Sequence, residues 1–255
     1  MHRVEHIFKE AAEVALRGLY RRKSGRPPRD FAPWLDEAKA RGYAVVERFW
    51  SSARCVDAIG QIDRELASDT TCHRWIDAEA SDNRLYFAER AGGELELFFR
   101  TPVIESIRRD YSGVARAETI LLAARLDYVV GNKGSGGGWH RDSPHRSQFK
   151  ALLYLSDVEP ENGPFEYLEG THLAWQSVRL LLDGKCQPNQ SRFSDEEVAR
   201  LHAAGVVRRT FVAPAGTLLL VDTKGIHRGR PIVRGRRYAL TQYCFDGARP
   251  RDFLP

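Results

Sequence analysis

At 255 residues, 42% of them hydrophobic, the chain can bury one substantial core, and no run of about eighteen apolar residues suited to span a bilayer occurs in it. The net charge of +5 is concentrated in residues 1–30, where eight Lys/Arg stand against four Asp/Glu. The remainder is nearly neutral and has no stripe of Lys/Arg interleaved with aromatics, which argues against a nucleic-acid-binding domain. Cys55, Cys72, Cys186 and Cys244 show no C-x-x-C spacing, so neither a zinc site nor a disulfide framework is indicated. With no secretory h-region at the start, a reducing cytoplasm is the expected compartment.

Val4, Ile7, Phe8, Ala11, Ala15, Leu16 and Leu19 recur at helical spacing and predict a basic amphipathic helix over about 1–23. Residues 21–29, with glycine and tandem prolines, read as a linker, so 1–30 forms an appendage to a domain over 31–255. The helix is expected either to fold back on that domain or to dock on a membrane surface or a second copy of the chain. A short helix at 36–41 ends at Gly42, and a strand follows at 43–48. Val56, Ile59, Ile62 and Leu66 mark a second amphipathic helix, N-capped by Ser51 or Ser52. Residues 84–88 and 95–99 read as strands, and 102–116 as a helix.

From about residue 120 to 245 short apolar runs alternate with turns: 119–130, 150–155, 164–168, 206–212, 217–221 and 237–245. An insertion at about 173–205 interrupts them, and its Ser194-x-x-Glu197 is the pattern of a capping box. The expected fold is an all-β core with supporting N-terminal helices, a double-stranded β-helix or cupin-like jelly roll.

Two segments carry the chemistry. Trp139-His140-Arg141-Asp142 follows a glycine-rich loop, Gly131 to Gly138, and His227 lies between Gly225 and Gly229 just past the apolar run ending at Asp222. H-x-D on an extended segment puts both side chains on one face. With a second histidine, that set forms the facial triad of a non-haem Fe(II) centre, which leaves positions open for further ligands. Eight His and sixteen Asp would generate about half of one H-x-D by chance, so the strand-and-glycine context of both segments is what raises the signal. His145 and His172 are rival ligands, placed at a pocket rim and in a structural turn respectively. The loop 134–138 lacks a phosphate-cradling pattern and reads as a flexible lip. Arg125 and Asp127 share a strand face, with Lys150 on the next strand. These three either line a pocket or, for the first two, form an ion pair.

From about Phe31 to Phe245 the chain resembles the phytanoyl-CoA dioxygenase family of Fe(II)/2-oxoglutarate oxygenases. The matching blocks are Gly42-Tyr43-Ala44-Val45-Val46, Trp139-His140-Arg141-Asp142, Asn162-Gly163-Pro164 with Gly170-Thr171-His172, and His227-Arg228-Gly229 followed by Gly235-Arg236-Arg237. Two positions depart from the family pattern: Glu169 replaces a proline, and Leu152 stands where several members carry tryptophan near 2-oxoglutarate. The resemblance implies Fe(II) on His140, Asp142 and His227, with 2-oxoglutarate and O₂ as co-substrates. It also implies Arg237 on the far carboxylate of 2-oxoglutarate, where a planar bidentate cation suits better than lysine. Arg236 is expected on the other face of that strand, and Lys150, Arg125 and Asp127 are weaker candidates for co-substrate or substrate contact.

The implied activity is hydroxylation of an unactivated C–H in a small-molecule or carrier-linked metabolite, with release of succinate and CO₂. Asp142 favours hydroxylation over halogenation, which in this family goes with a small residue there. The alternatives are cupin-like isomerase or hydrolase chemistry on another divalent metal, or a binding protein with a vestigial site. The insertion and residues 70–100 are expected to wall the substrate pocket, with Arg179, Lys185 and Arg192 hinting at an anionic group on the substrate.

Overall fold

The computed structural model describes residues 2–21, 31–68, 70–114, 117–245 and 254. Most of the expected linker falls outside these residues. The elements run α1 (His2–Arg21), α2 (Ala32–Arg41), β1 (Tyr43–Val46), α3 (Ser52–Ala67), β2 (His73–Ile76), β3 (Asp82–Tyr86), α4 (Gly93–Phe99) and α5 (Pro102–Ser112). There follow β4 (Glu118–Asp127), β5 (Phe149–Tyr154), β6 (Phe165–Leu168), α6 (Ala174–Leu182), α7 (Asp195–Ala203), β7 (Arg208–Phe211), β8 (Leu218–Asp222), β9 (His227–Gly229) and β10 (Arg236–Phe245).

Seven strands pair in the order β1-β8-β5-β10-β4-β3-β2, and a second sheet has the order β7-β6-β9. Every pairing in both sheets is antiparallel. This is the jelly roll that the strand pattern predicts. Strand alternation gives the large sheet two different faces. Leu121, Ala123, Ala151, Leu153, Leu218, Leu220 and Leu240 pack with Ile62, Leu95, Phe98, Ile104 and Ile107 of the helices. The opposite residues, among them Leu219, Val221 and Ala239, meet Phe165 and Tyr167 of the small sheet.

The predicted strand at 95–99 is instead α4. Leu95 and Phe98, three apart, are its buried residues, so helical spacing prevails over the alternation in Leu95-Glu96-Leu97. The capping box at Ser194 and Glu197 and the Ser51 cap both form. Trp139 reaches the insertion with its indole N–H, which donates to Asp195 (3.0 Å). Its ring joins a core that includes Leu180, Val198 and Leu201 of α6 and α7.

Helix α1 folds back on the barrel, and it does so with its polar face. His6 and Glu10 are 2% and 1% exposed. Lys224 Nζ donates to Glu10 Oε2 at 2.5 Å, with both side chains buried. The Ser147 N–H donates to Glu13 (3.4 Å), and the Arg17 guanidinium lies 5.7 Å from the centre of the Tyr111 ring.

Removing one partner of a buried ion pair strands the other, a loss of about 3–5 kcal/mol. Glu10→Ala should therefore lower the midpoint of chemical denaturation by a corresponding amount. Phe8→Ala, on the exposed face, should change stability by less than about 0.5 kcal/mol. Similar losses from both variants would contradict this docking geometry.

Candidate metal and co-substrate site

His140, Asp142 and His227 come together although 87 residues separate the two histidines. One ligand atom from each lies within 4.8 Å of the other two. Backbone hydrogen bonds fix this arrangement. The His140 N–H donates to the His227 carbonyl and the His227 N–H to that of His140, both at 2.9 Å. The Asp142 N–H donates to the Thr223 carbonyl (3.0 Å). Two segments beyond the ends of the apolar strands thus zip together and place three side chains on one side.

The ring tautomers follow from local contacts. Nδ1 of His140 lies 2.9 Å from the Gly138 carbonyl, and Nδ1 of His227 lies 2.9 Å from that of Gly225. A carbonyl can only accept, so each Nδ1 carries the proton and each Nε2 is the nitrogen left to face the centre. This outer-shell contact orients imidazoles for metal binding. Burial, and next the nearby His140, push the pKa of His227 down to about 3, so it is neutral at physiological pH. Burial raises the pKa of Asp142, but Lys150, His140 and His227 together outweigh it and hold the carboxyl well below its usual range. Lys150 Nζ lies 2.5 Å from Asp142 Oδ2, while Asp142 Oδ1 lies 3.6 Å from His140 Nε2. One carboxylate oxygen serves the lysine and the other faces the imidazoles.

These groups line a cavity of about 480 Å³, which Arg237 enters from β10. Arg237 is 5% exposed, donates to the Gly163 carbonyl, and keeps Nε buried without a partner. Burial draws its pKa down, with Tyr154 opposing. Arg236 faces outward and pairs with Asp127. Leu152 and Phe165 supply apolar wall.

Arg125 and Asp127 do not reach this cavity. The pocket face of β4 is Leu122, Ala124 and Leu126, and the odd-numbered residues point the other way. Arg125 donates to Asp127 and Asp63, both at 3.0 Å. Their assignment as co-substrate contacts is therefore corrected: they form an ion-pair network with α3. Arg179 pairs with Asp183 (3.7 Å), and of the three insertion cations considered only Arg192 lines the cavity. Arg192 gets there because the Arg141 N–H donates to Ser191 (2.8 Å) and the Phe193 N–H to Trp139 (3.0 Å), while its own guanidinium donates to the Gly136 carbonyl (2.5 Å). The loop 134–138 closes over the site, since a Cβ on Gly136 would collide with the His140 ring. From residues 70–100, Arg84 and Tyr86 join the wall.

His172 serves structure, with Nε2 3.1 Å from the Lys39 carbonyl. His145 lies beneath α1, with its Nδ1 3.9 Å from Glu10 and Nε2 2.6 Å from Asn189. His6, Glu10 and His145 also bring three donor atoms within 4.8 Å. The Asn189 N–H points at Nδ1 of His6 (3.2 Å), which puts the ring proton on Nε2, the nitrogen facing Glu10. That proton and the Lys224 ammonium on Glu10 make a poor cation site.

Sequence reasoning passed over Asp222, at the end of β8 and fully buried. Its Oδ1 accepts from the backbone N–H groups of Gln148 (3.1 Å) and Lys224 (3.0 Å), and its Oδ2 from the Tyr111 hydroxyl (2.6 Å). The Tyr167 hydroxyl donates to its carbonyl (2.8 Å). It also passed over Glu166, whose buried carboxylate receives Arg208, Thr210 and Arg228. The available signal was an acidic residue inside an apolar strand, since a buried charge must be paired.

None of the curated proteins matches the chain. Solved structures do. SnoN, a non-haem α-ketoglutarate-dependent epimerase of nogalamycin biosynthesis, aligns at 16% identity over 85% of this chain and 84% of its own in complex with Fe³⁺, α-ketoglutarate and nogalamycin RO, with a TM-score of 0.63. The carbocyclase SnoK from the same biosynthesis aligns at 16% over 87% of each chain, with a TM-score of 0.63. EctD from S. alaskensis with bound Fe aligns at 16% over 88% and 82%, with a TM-score of 0.62. At these identities the likeness is one of fold. The family profile described as phytanoyl-CoA dioxygenase (PhyH) matches residues 38–235, well over half the chain and inclusive of all three clustered side chains, so the chain belongs to the phytanoyl-CoA dioxygenase family.

Proposed function

We propose that this protein is an Fe(II)- and 2-oxoglutarate-dependent oxygenase that hydroxylates an unactivated C–H of a small-molecule or carrier-linked metabolite. One observation carries the reading. A two-histidine, one-carboxylate cluster with both Nε2 atoms turned inward shares a cavity with an arginine whose buried Nε has no partner. The donor set suits a borderline divalent cation such as Fe(II). The buried guanidinium suits the remote carboxylate of a dicarboxylic keto acid. SnoN and EctD, with iron or α-ketoglutarate in their structures, support the same cofactors.

When bound, iron, 2-oxoglutarate and O₂ would supply oxidative decarboxylation to succinate and CO₂ coupled to C–H oxidation. The chain's residues supply placement. His140, Asp142 and His227 would hold the cation on one face. Lys150 keeps Asp142 ionised in a buried setting, and Arg237 would fix the far end of the co-substrate. Leu152, Leu126 and Phe165, on the same cavity wall, would help exclude water from that end. Arg192, at the lip, has no carboxylate partner among the described ion pairs and would meet an anionic group on the substrate. SnoN and SnoK, an epimerase and a carbocyclase, support a second reading in which the same site inverts a stereocentre or closes a ring. Product mass separates the readings: hydroxylation adds one oxygen, epimerisation changes nothing, and ring closure removes two hydrogens.

Purified protein supplied with Fe(II) should convert 2-oxoglutarate to succinate slowly without added substrate. Alanine at His140, Asp142 or His227 should abolish this conversion while the far-UV circular dichroism spectrum is retained. Wild-type turnover in any of the three variants at saturating iron would remove that residue from the site.

Arg237→Lys should weaken 2-oxoglutarate binding by about ten- to a hundredfold, matching the loss of a charge-assisted bidentate contact of roughly 1.5–3 kcal/mol. Arg236→Lys, on the outer face, should leave affinity within about twofold. Titration calorimetry under anaerobic conditions measures both. Equal effects would place the co-substrate elsewhere.

A further inference from the structure

Two guanidiniums hold the lip 134–138 from opposite sides. The lip lies against both histidine segments: the Gly229 N–H donates to the Ser135 carbonyl (3.1 Å), and a Cβ on Gly136 would stand 2.4 Å from the His140 ring. From β3, Arg84 donates through Nη2 to the Ser135 hydroxyl (3.1 Å). From the insertion, Arg192 donates through Nη1 to the carbonyls of Gly136 (2.5 Å) and Gly137 (3.5 Å). Arg192 stands opposite His140 in an antiparallel backbone bridge, so its side chain starts from the rim beside a residue of the candidate metal site.

The two grips differ in one respect. Asp82 takes Arg84 on both carboxylate oxygens, Nε to Oδ1 (2.9 Å) and Nη2 to Oδ2 (2.5 Å), and that arginine side chain is only 13% exposed. The carboxylate neutralises the charge and fixes the plane of the guanidinium. Arg192 lines the same cavity, is exposed, and has no carboxylate partner among the described residues. No bond among those residues occupies its Nε or Nη2, which leaves a two-pronged edge beside the cavity. An exposed arginine loses rotamer freedom when neutral carbonyls alone hold it. A bidentate oxyanion on the open edge would order it as Asp82 orders Arg84. We propose that Arg192 determines specificity by taking a carboxylate or phosphate of the substrate on its Nε–Nη2 edge, and that the guanidinium so ordered holds the lip shut over His140. Closure is then tied to an anionic substrate, and a neutral molecule leaves the lip loose. That the anion belongs to a substrate rests on the oxygenase reading above, whereas the grip on the lip rests on geometry alone.

Amide hydrogen exchange of residues 133–139 in the full chain tests it, measured anaerobically with Fe(II) and 2-oxoglutarate present. Acetate and methyl phosphate serve as probes, each against chloride at matched ionic strength. At least one of them should slow exchange of the lip by about threefold or more in the wild-type protein, and the one that acts tells carboxylate from phosphate. Arg192→Ala should speed lip exchange without any anion and remove the response to both probes, with unchanged melting temperature. Arg192→Lys, which keeps the charge but loses the fork, should respond more weakly than wild type. A wild-type lip indifferent to both anions overturns the proposal, and so does an Arg192→Ala protein whose lip exchanges and responds like wild type. Calorimetry on the same samples separates this from the assigned activity. If 2-oxoglutarate binds while the lip ignores both anions, the clamp alone is overturned. If 2-oxoglutarate fails to bind, the oxygenase reading falls and with it the assignment of the anion to a substrate.

Discussion

A carboxylate with no access to water governs how the site is built. Asp222 ends β8, where the large sheet stops and the chain must turn to deliver His227. Burial works against its charge, yet Arg17, His172 and several hydrogen bonds hold its pKa below the usual carboxylate value. The backbone N–H groups of Gln148 and Lys224 converge on one oxygen and the Tyr111 hydroxyl on the other. Those contacts tie the start of β5 and helix α5 to the turn that carries His227. The Thr223 carbonyl, one residue on, receives the Asp142 N–H. Position at the site is thus inherited from a buried charge that itself touches neither histidine ring.

The same logic extends to α1. Its inward-facing His6, Glu10 and Glu13 bond to Asn189, Lys224 and Ser147, in segments that follow Asp142 or precede His227. The helix therefore braces site-bearing loops while exposing its apolar side. Charged groups in low dielectric are stabilising only when paired with good geometry. Glu10 with Lys224 and Asp142 with Lys150 meet that condition, and each ties a loop to a rigid element.

Much of this was legible in the order of residues. The triad was readable because period-two alternation puts His140 and Asp142 on one face, and because each half follows an apolar run and glycines. Arg237 and Arg236 separate by the same alternation. Arg125 and Asp127 show its limit. Periodicity establishes that they share a face, but which face looks into the cavity depends on strand pairing. The register that sets Leu126 opposite Arg237 turns them outward. Residues 95–99 alternate over too few positions to distinguish a strand from a helix that buries Leu95 and Phe98.

By itself the sequence determined the jelly-roll class, the helix caps, the three clustered side chains and the face of the arginine on β10. All of these rest on local periodicity and turn chemistry, which neighbouring residues dictate. Only the tertiary structure decided that Asp222 anchors the site, that Arg192 reaches the cavity, and that α1 docks through its polar side. Each of these depends on groups far apart in the chain meeting in a buried place. A hydrophobic stripe predicts which side of a helix avoids water, but a buried lysine that pairs with Glu10 can claim the opposite side.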